Sequence, residues 1–367
     1  MTGCSVAKGL LEGHPHLTVT VLEARGLTRG ASSRNGGHIV SPSFWEFPSL
    51  VEHFGPKAAV EIAEFTVRNC EKTFDAVEAI SDPELNDQSE IRKVQKLIVL
   101  TTERHDYVRL VESEGAVKEF GLHNVAGVAV SKAGAVWPYR LWTGIWAYLQ
   151  KKYPERLTIE TYTPVTSVAT TKSDQGPARY TIKTLLGDVG AAKVVYCTNA
   201  YSAHLLPPLR GKIFPIRGNM SAQDAGPDFP NLGASRSWSV ISKRRKDLAS
   251  GTQNYGLYYI TRNPHTGHMF VGGEDDILDN LLSSDDSRMN PMSAKKVFEV
   301  LPKFYQKTAS KTVPLKVWSG IMGFSKDGVP VLGPLPEMVT GRSEEKIGLP
   351  PVSMGMEQVT ATVVVWL

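Results

Sequence analysis

Three groups of residues in this chain have the types and the spacing to handle a nucleotide. Glu23 closes the apolar run Leu17-Thr18-Val19-Thr20-Val21-Leu22 and lies twenty positions after Gly3, at the start of a short helix pattern over residues 4–11. A carboxylate at a strand end, at that distance from a glycine where helix and strand pack closely, can hydrogen-bond a ribose hydroxyl. The second group is Gly30-Ala31-Ser32-Ser33-Arg34-Asn35-Gly36-Gly37-His38. Small residues let a backbone approach a ligand, and hydroxyls with free amide groups can hold a pyrophosphate. The third is the run Trp318-Ser319-Gly320-Ile321-Met322-Gly323-Phe324, followed by Asp327-Gly328 and Gly333-Pro334. It reads as a strand ending in two glycines, a turn, and a short apolar strand. Each loop alone is also what an ordinary turn looks like. A small-residue loop coming directly after an acidic strand end favours the cofactor reading.

The elements that must position these residues alternate between helix and strand patterns, which predicts an α/β protein. Residues 56–80 carry Val60, Ala63, Val67, Cys70, Phe74 and Val77 at helical spacing, the pattern of a core face. A strand is expected around Leu97-Ile98-Val99-Leu100, a polar helix over residues 102–120, and a helix over 139–152 after Pro138. Short strands follow at 157–162 and 165–169, then a hairpin of 180–185 with 193–197 turning at Gly187-Asp188. Runs at 213–221, 238–241, 257–262 and 268–272 alternate apolar and polar residues, which predicts an antiparallel sheet with one buried face. A helix over 292–307 and a strand over 313–320 complete the pattern.

Composition narrows the function classes. The chain has 367 residues, 41% hydrophobic and 21% charged, ordinary values for a globular protein of two domains or one elaborated fold. The net charge of +4 is small, and the one basic run, Lys243-Arg244-Arg245-Lys246, reads as a solvated loop rather than a nucleic-acid site. Cys4, Cys70 and Cys197 are odd in number and far apart, so neither a disulfide framework nor a metal site is expected and a cytoplasmic, reducing compartment is. No stretch has the apolar length of a membrane span, and the end Val363-Val364-Val365-Trp366-Leu367 is no peroxisomal tripeptide.

Taken in order, these segments resemble the D-amino-acid-oxidase-like superfamily of FAD-dependent oxidoreductases. The likeness is closest to the branch holding amine, sarcosine-like and gamma-glutamylputrescine oxidoreductases. Two further runs carry the resemblance: Val195-Tyr196-Cys197-Thr198-Asn199-Ala200-Tyr201 and Lys212-Ile213-Phe214-Pro215-Ile216-Arg217-Gly218. It implies a Rossmann-like FAD-binding domain (residues 1–45, 130–212 and 310–367) interleaved with an antiparallel-sheet substrate part (46–129 and 213–309). It also implies roles. Gly3 stands for the third fingerprint glycine, and Glu23 would bind the adenosine ribose. Ser33, Arg34, Asn35, Gly36 and Gly37 would line the pyrophosphate and the flavin edge. The backbone of Val165 would face the adenine. Thr198, Asn199 and Ala200 would close over the cofactor, which Gly320, Met322 and Gly323 would also reach. Where some relatives attach flavin through a histidine, this chain has Arg34, so FAD is expected to be non-covalent.

On the substrate side the resemblance points to the sheet carrying Tyr255, Tyr258, Tyr259 and Arg262, with His38 as a polar neighbour of the ring. An aromatic wall beside an arginine suits an amine whose other end is a carboxylate. Alternation means that Tyr258 and Tyr259 cannot both face the cavity. For each, a tyrosine packed in the sheet is at least an equal alternative, and for His38 a structural histidine is the favoured one. No catalytic base is assigned, since orienting and desolvating a neutral amine can suffice. The electron acceptor would be oxygen or another oxidant.

The chain departs from that pattern at both ends. The first strand and the first two fingerprint glycines are absent, which would leave neighbouring strands without a partner. Near the other end, Val352-Ser353-Met354-Gly355-Met356 is a remnant of the family's glycine motif, and residues 357–367 favour a strand over the family's helix. Two readings therefore stand: an FAD-dependent amine oxidoreductase, or a truncated, cofactor-free fragment or pseudoenzyme of that fold. A third, an NAD-dependent dehydrogenase, rests on the amino-terminal unit alone and leaves the late glycine run unexplained.

Overall fold

The computed structural model describes residues 1–100, 110–170, 180–242, 245–246, 252–254, 256–273, 276–305, 311–340 and 362–366. The motif at 352–356, Tyr255 and the first two residues of the basic run lie outside these. Elements are, in order, α1 (Thr2–Gly13), β1 (Val19–Glu23), α2 (Ala31–Arg34), β2 (His38–Ile39), α3 (Ser43–Glu78), α4 (Pro83–Ser89), β3 (Arg92–Leu100), β4 (Leu110–Glu112), α5 (Ser113–Phe120), β5 (Gly127–Ala135) and α6 (Pro138–Lys152). Then come β6 (Leu157–Glu160), β7 (Val165–Thr170), β8 (Tyr180–Thr184), β9 (Gly187–Ala191), β10 (Lys193–Cys197), α7 (Ser202–Leu205), β11 (Ile213–Asp224), β12 (Arg236–Ile241), β13 (Arg245–Lys246), β14 (Thr252–Asn254), β15 (Leu257–Arg262) and β16 (Met269–Gly273). The last are β17 (Asp276–Ile277), α8 (Leu278–Leu281), α9 (Pro291–Tyr305), β18 (Val313–Ser325), α10 (Glu337–Thr340) and β19 (Thr362–Trp366).

Two sheets matter for the site. The smaller runs β10-β19-β1-β6 and the larger runs β18-β11-β16-β15-β12-β3-β5-β2, with β4 added beside β5. In the small sheet, β1 pairs in parallel with β6 and antiparallel with β19. The unpaired neighbours expected from the sequence are not seen: β19 fills the slot between β1 and β10, Val364 lying opposite both Val21 and Val195. The strand expected near the carboxyl end is thus present. One face of this sheet is covered by α1 and α6, with Val6, Leu10, Leu11, Leu141, Ile145 and Leu149 in a common core.

The large sheet is mixed. It is antiparallel from β18 to β12 and from β3 to β2, while β12 and β3 run parallel. One face packs on α5 and α9 around Trp238, Leu97, Val240, Ile260, Val271, Leu301 and Phe304. The other face turns toward α2 and the glycine loop that follows it. Strand β18 and residues 130–135 of β5, which the sequence division groups with the nucleotide part, belong to this sheet.

Several expectations are corrected. The long helix is α3, starting at Ser43 and bent at Gly55 with φ of 77°. Its packed stripe runs through Ala59 and Thr66 to Val77, and Val60 and Val67 are exposed, so the apolar spacing overstated the buried face. Of the polar helix expected over 102–120, residues 113–120 form α5, residues 110–112 form the strand β4, and 102–109 lie outside the described residues. The hairpin is β8 with β9, turning at Leu185-Leu186, because the Thr184 hydroxyl caps that turn through Gly187 O and Leu186 N. That frees β10 for the small sheet. Strand β18 runs on through both glycines to Ser325, and the apolar run after Gly328 forms no strand, leaving Val331 and Leu332 exposed.

Candidate active site

The site lies where the carboxyl end of β1, the loop around α2, and strands β11, β15 and β18 meet. Glu23 ends β1 and is only 3% exposed. Its Oε1 accepts the Arg25 backbone N–H at 2.9 Å, and its carbonyl accepts from Thr163 N. Gly3 is buried in the first turn of α1, where the Met1 nitrogen donates to Ser32 Oγ at 3.2 Å. The glycine at the start of α1, the acidic strand end and the serine loop are therefore brought together.

The loop is shaped by its own side chains. Asn35 Nδ2 donates to the carbonyls of Ala31 and Ser32, and its Oδ1 accepts from Gly37 N at 2.9 Å. Asn35 thus closes α2 and turns the chain, so its amide shapes the loop. Ser33 Oγ donates to Gly30 O. Gly37 has φ of 70°, and a β-carbon there would fall on Val136 O, so no other residue fits. A β-carbon on Gly36 would lie 3.2 Å from the Tyr259 ring and 3.3 Å from Met220 Cε. Thr261 Oγ1 donates to Gly36 O at 2.7 Å and ties the sheet to the loop.

Arg34 is a node. Its carbonyl accepts Trp318 Nε1–H at 2.8 Å, and its guanidinium donates to Ser319 O at 3.0 Å and meets Asp286 Oδ2 at 3.1 Å. Gly320 admits α2, since a β-carbon there would sit 3.4 Å from Ala31. Gly323 admits Asn199, whose Oδ1 a β-carbon would strike. Met322 is buried on β18, one residue before Gly323. Thr198 and Ala200 are buried beside it, the Thr198 hydroxyl bonded to Ser202 Oγ at 2.8 Å. Asn199 has φ of 41°, and its Nδ2 is buried with no partner among the described residues, as is Thr28 Oγ1. Val165 is buried at the start of β7 against Leu22 and Ile182.

On the substrate side, the alternation argument holds. Tyr258 packs against the core shared with α9, while Tyr259 faces the glycine loop, 6.4 Å from the His38 ring. Arg262 is corrected outright. Its guanidinium is spent on the carbonyls of Phe229, Pro230 and Gly267, clamping the loop after β11, so it cannot anchor a substrate carboxylate. Tyr258, a core residue, is likewise not a wall of the cavity. His38 Nε2 lies 3.1 Å from Ile260 O, which only accepts, so that nitrogen carries the proton. Burial, then the nearby Lys96 charge, push its pKa down to about 3 against the opposing pull of the Ile260 bond. Lys96 was missed in the sequence. It is 2% exposed on β3, in register with Ser131 and Ser237, and the Ser237 hydroxyl is buried with no partner among the described residues. A charged residue at an interior position of an alternating strand was its signal.

The residues fit the cofactor implied by the resemblance. A buried carboxylate ends a parallel strand, two buried polar atoms have no partner among the described residues, and glycines let β18, the Asn199 loop and α2 pack closely around the junction. Comparison with known proteins agrees. Residues 1–349 match the FAD dependent oxidoreductase family, and the chain belongs to that family. The fold is similar to glycine oxidase from Geobacillus kaustophilus, 18% identical, with a TM-score of 0.63 over 92% of this chain and 83% of that one. It is also similar to L-proline dehydrogenase from P. horikoshii, at 16% identity and a TM-score of 0.65 over 92% and 83% of the two chains. A third similar structure is iminodiacetate oxidase from Chelativorans sp. BNC1, at 12% identity and a TM-score of 0.61 over 92% and 85%. No curated protein sequence matches. No described helix is long and apolar enough to cross a membrane.

Proposed function

We propose that this FAD-dependent oxidoreductase holds its flavin non-covalently and oxidises the C–N bond of an amine or amino acid to an imine, within the amine and gamma-glutamylputrescine branch. The observation that carries this reading is the buried Glu23 carboxylate at the end of β1, inside a chain matched to the family over 1–349. Glu23 would hold the adenosine ribose, and Gly3, Ser33 and the α2 loop the pyrophosphate. Asn199 Nδ2 and Thr28 Oγ1 would find their partners on the cofactor. Non-covalent binding is supported by the cysteines: burial pushes the thiols of Cys4 and Cys197 up to about 12, so neither offers a thiolate at neutral pH.

FAD, when bound, accepts a hydride from the carbon bearing the nitrogen. This chain's own residues would prepare the amine. Tyr259 supplies an aromatic surface beside the loop. His38 is neutral at neutral pH and, with its proton held on Nε2, keeps the Nδ1 lone pair. Burial and the Lys96 charge disfavour an ammonium there, which favours the neutral amine that can give up a hydride. Oxygen or another oxidant would complete turnover.

Recording the visible spectrum of the purified protein tests the reading. Flavin bands near equimolar ratio are expected, with the colour released into the supernatant on acid precipitation. Glu23→Ala should weaken FAD binding about 10–100-fold, the worth of a charged hydrogen bond of ~1.5–3 kcal/mol. A colourless protein that takes up no added FAD would overturn it. A peroxide assay over amines and amino acids then names the substrate.

A further inference from the structure

The face of the large sheet turned away from the glycine loop holds a cavity of about 150 Å³, which the proposed reaction does not use. Four aromatic rings from four separate elements wall it: Phe120 at the end of α5, Phe229 in the loop after β11, Trp238 on β12 and Tyr305 at the end of α9. All four belong to the core between that sheet and α9. The Phe229 and Tyr305 rings meet edge to face at 4.7 Å, and Trp238 meets Tyr305 at 6.4 Å. Arg262 fixes the one wall that comes from a loop. Its guanidinium donates to the carbonyls of Phe229 and Pro230 and lies 5.1 Å from the centre of the Phe229 ring.

Arg236 and His123 supply the polar part of the lining. Arg236 opens β12 and is half-buried, with its guanidinium 5.3 Å from the centre of the Phe120 ring. Among the described residues its side chain has neither a hydrogen bond nor an ion pair. A guanidinium over a ring face is attracted to it, yet its five N–H donors stay open to an acceptor. The chemistry of the site is therefore an aromatic enclosure with one cation at its side. A cavity of about this size takes one ring of benzene dimensions and no dinucleotide. Rings met edge-on favour a flat aromatic guest, and the arginine fork favours a carboxylate on it. A cationic amine would meet a like charge here, so the cavity is no second seat for the molecule that the flavin side oxidises.

We propose that this cavity binds a small monocyclic aromatic carboxylate, its ring among Phe120, Phe229, Trp238 and Tyr305 and its carboxylate on the Arg236 guanidinium. Three walls stand on regular elements and the fourth is clamped by Arg262, so little ordering is needed when the ligand enters. The assignment also gives Arg262 a purpose: it holds the loop that closes this site. Tyr259 and the glycine loop lie on the opposite face of the sheet. The site is thus separate from the flavin junction, and its test does not depend on the flavin reading.

The test titrates the whole chain, as purified and at neutral pH, with three probes by calorimetry. Phenylacetate carries ring and charge, phenylacetamide keeps the ring without the charge, and propionate keeps the charge without the ring. Phenylacetate is expected to bind about tenfold or more tightly than either. These titrations need no variant, and no preference for phenylacetate, or no binding of it, overturns the proposal. Arg236→Gln should then bring phenylacetate down to the affinity of the amide, and Arg236→Lys should recover part of the loss, at an unchanged urea midpoint. Tyr259→Ala, on the other face of the sheet, should leave phenylacetate binding as it is. Binding that survives Arg236→Gln, or that Tyr259→Ala abolishes, would place the ligand on the flavin side and also overturn the proposal.

Discussion

The small sheet carrying Glu23 and the large sheet carrying Tyr259 hold their functional residues in different ways. Strands of the small sheet are four or five residues long, and β1 sits between a parallel neighbour and an antiparallel one from residues 362–366. Its functional group stands at a strand tip, where position depends on the loops beyond it. Strands of the large sheet reach 12 and 13 residues, and β11 and β18 pair along nearly their whole length. Its functional groups sit mid-strand, fixed by neighbours on both sides. On the proposed reading, recognition of the nucleotide falls to the sheet of short strands and orientation of the reacting molecule to the sheet of long ones. Regions that must admit a ligand belong to the less stable part of a fold.

The comparison can be broken first at the core of the large sheet. Trp238 is 2% exposed and meets the Tyr305 ring edge-on at 6.4 Å. Trp238→Ala should cost about 3–5 kcal/mol, since it removes the largest side chain of that core and leaves a cavity. Urea unfolding reads this directly. A loss under ~1 kcal/mol would mean that the large sheet is not the rigid partner.

A second test falls at the seam between the sheets. Gly323 on β18 lies against the Asn199 loop that follows β10, and a β-carbon would also come 2.7 Å from Ala200 N. Backbone there cannot give as a flexible side chain can. Gly323→Ala is expected to lower stability by about 1–3 kcal/mol and to weaken FAD binding, because it pushes Asn199 away. If stability falls and flavin binding does not, the seam is structural only.

How much of this was legible follows the same division. The alternation in β11, β15 and β16 was readable because each strand has one face on α9 and one toward the glycine loop. That also separated Tyr258 from Tyr259. That the α1 start, the serine loop and the late glycine segment come together was readable because each run carries its own local signal. Arg262 was misread because two of its three carbonyl partners belong to a loop about thirty residues away, which no spacing reveals. The Asp286 pairing spans 261 positions to Arg25 and leaves no local trace. The hairpin was misplaced because Gly187-Asp188 resembles a turn, whereas the Thr184 hydroxyl fixes the turn two residues earlier.

A last test sharpens the comparison by pH, where the effect reads as a slope rather than a single loss. His38 bridges the glycine loop to β15 and is held well below its ordinary pKa of 6.5, at about 3, chiefly by burial. The unfolded chain therefore binds more protons than the folded one between those values, and stability rises with pH across that window. Stability is fully present above about 6.5 and is lost as acid approaches 3, by at most ~1.4 kcal/mol per pH unit for one group. His38→Gln removes that group's slope while keeping a donor for Ile260 O. Urea midpoints at several pH values from 7 down to 4 should fall more steeply in wild type than in the variant. Parallel curves would mean that the ring is already wet, and that the loop between the two sheets is as open as the small sheet itself.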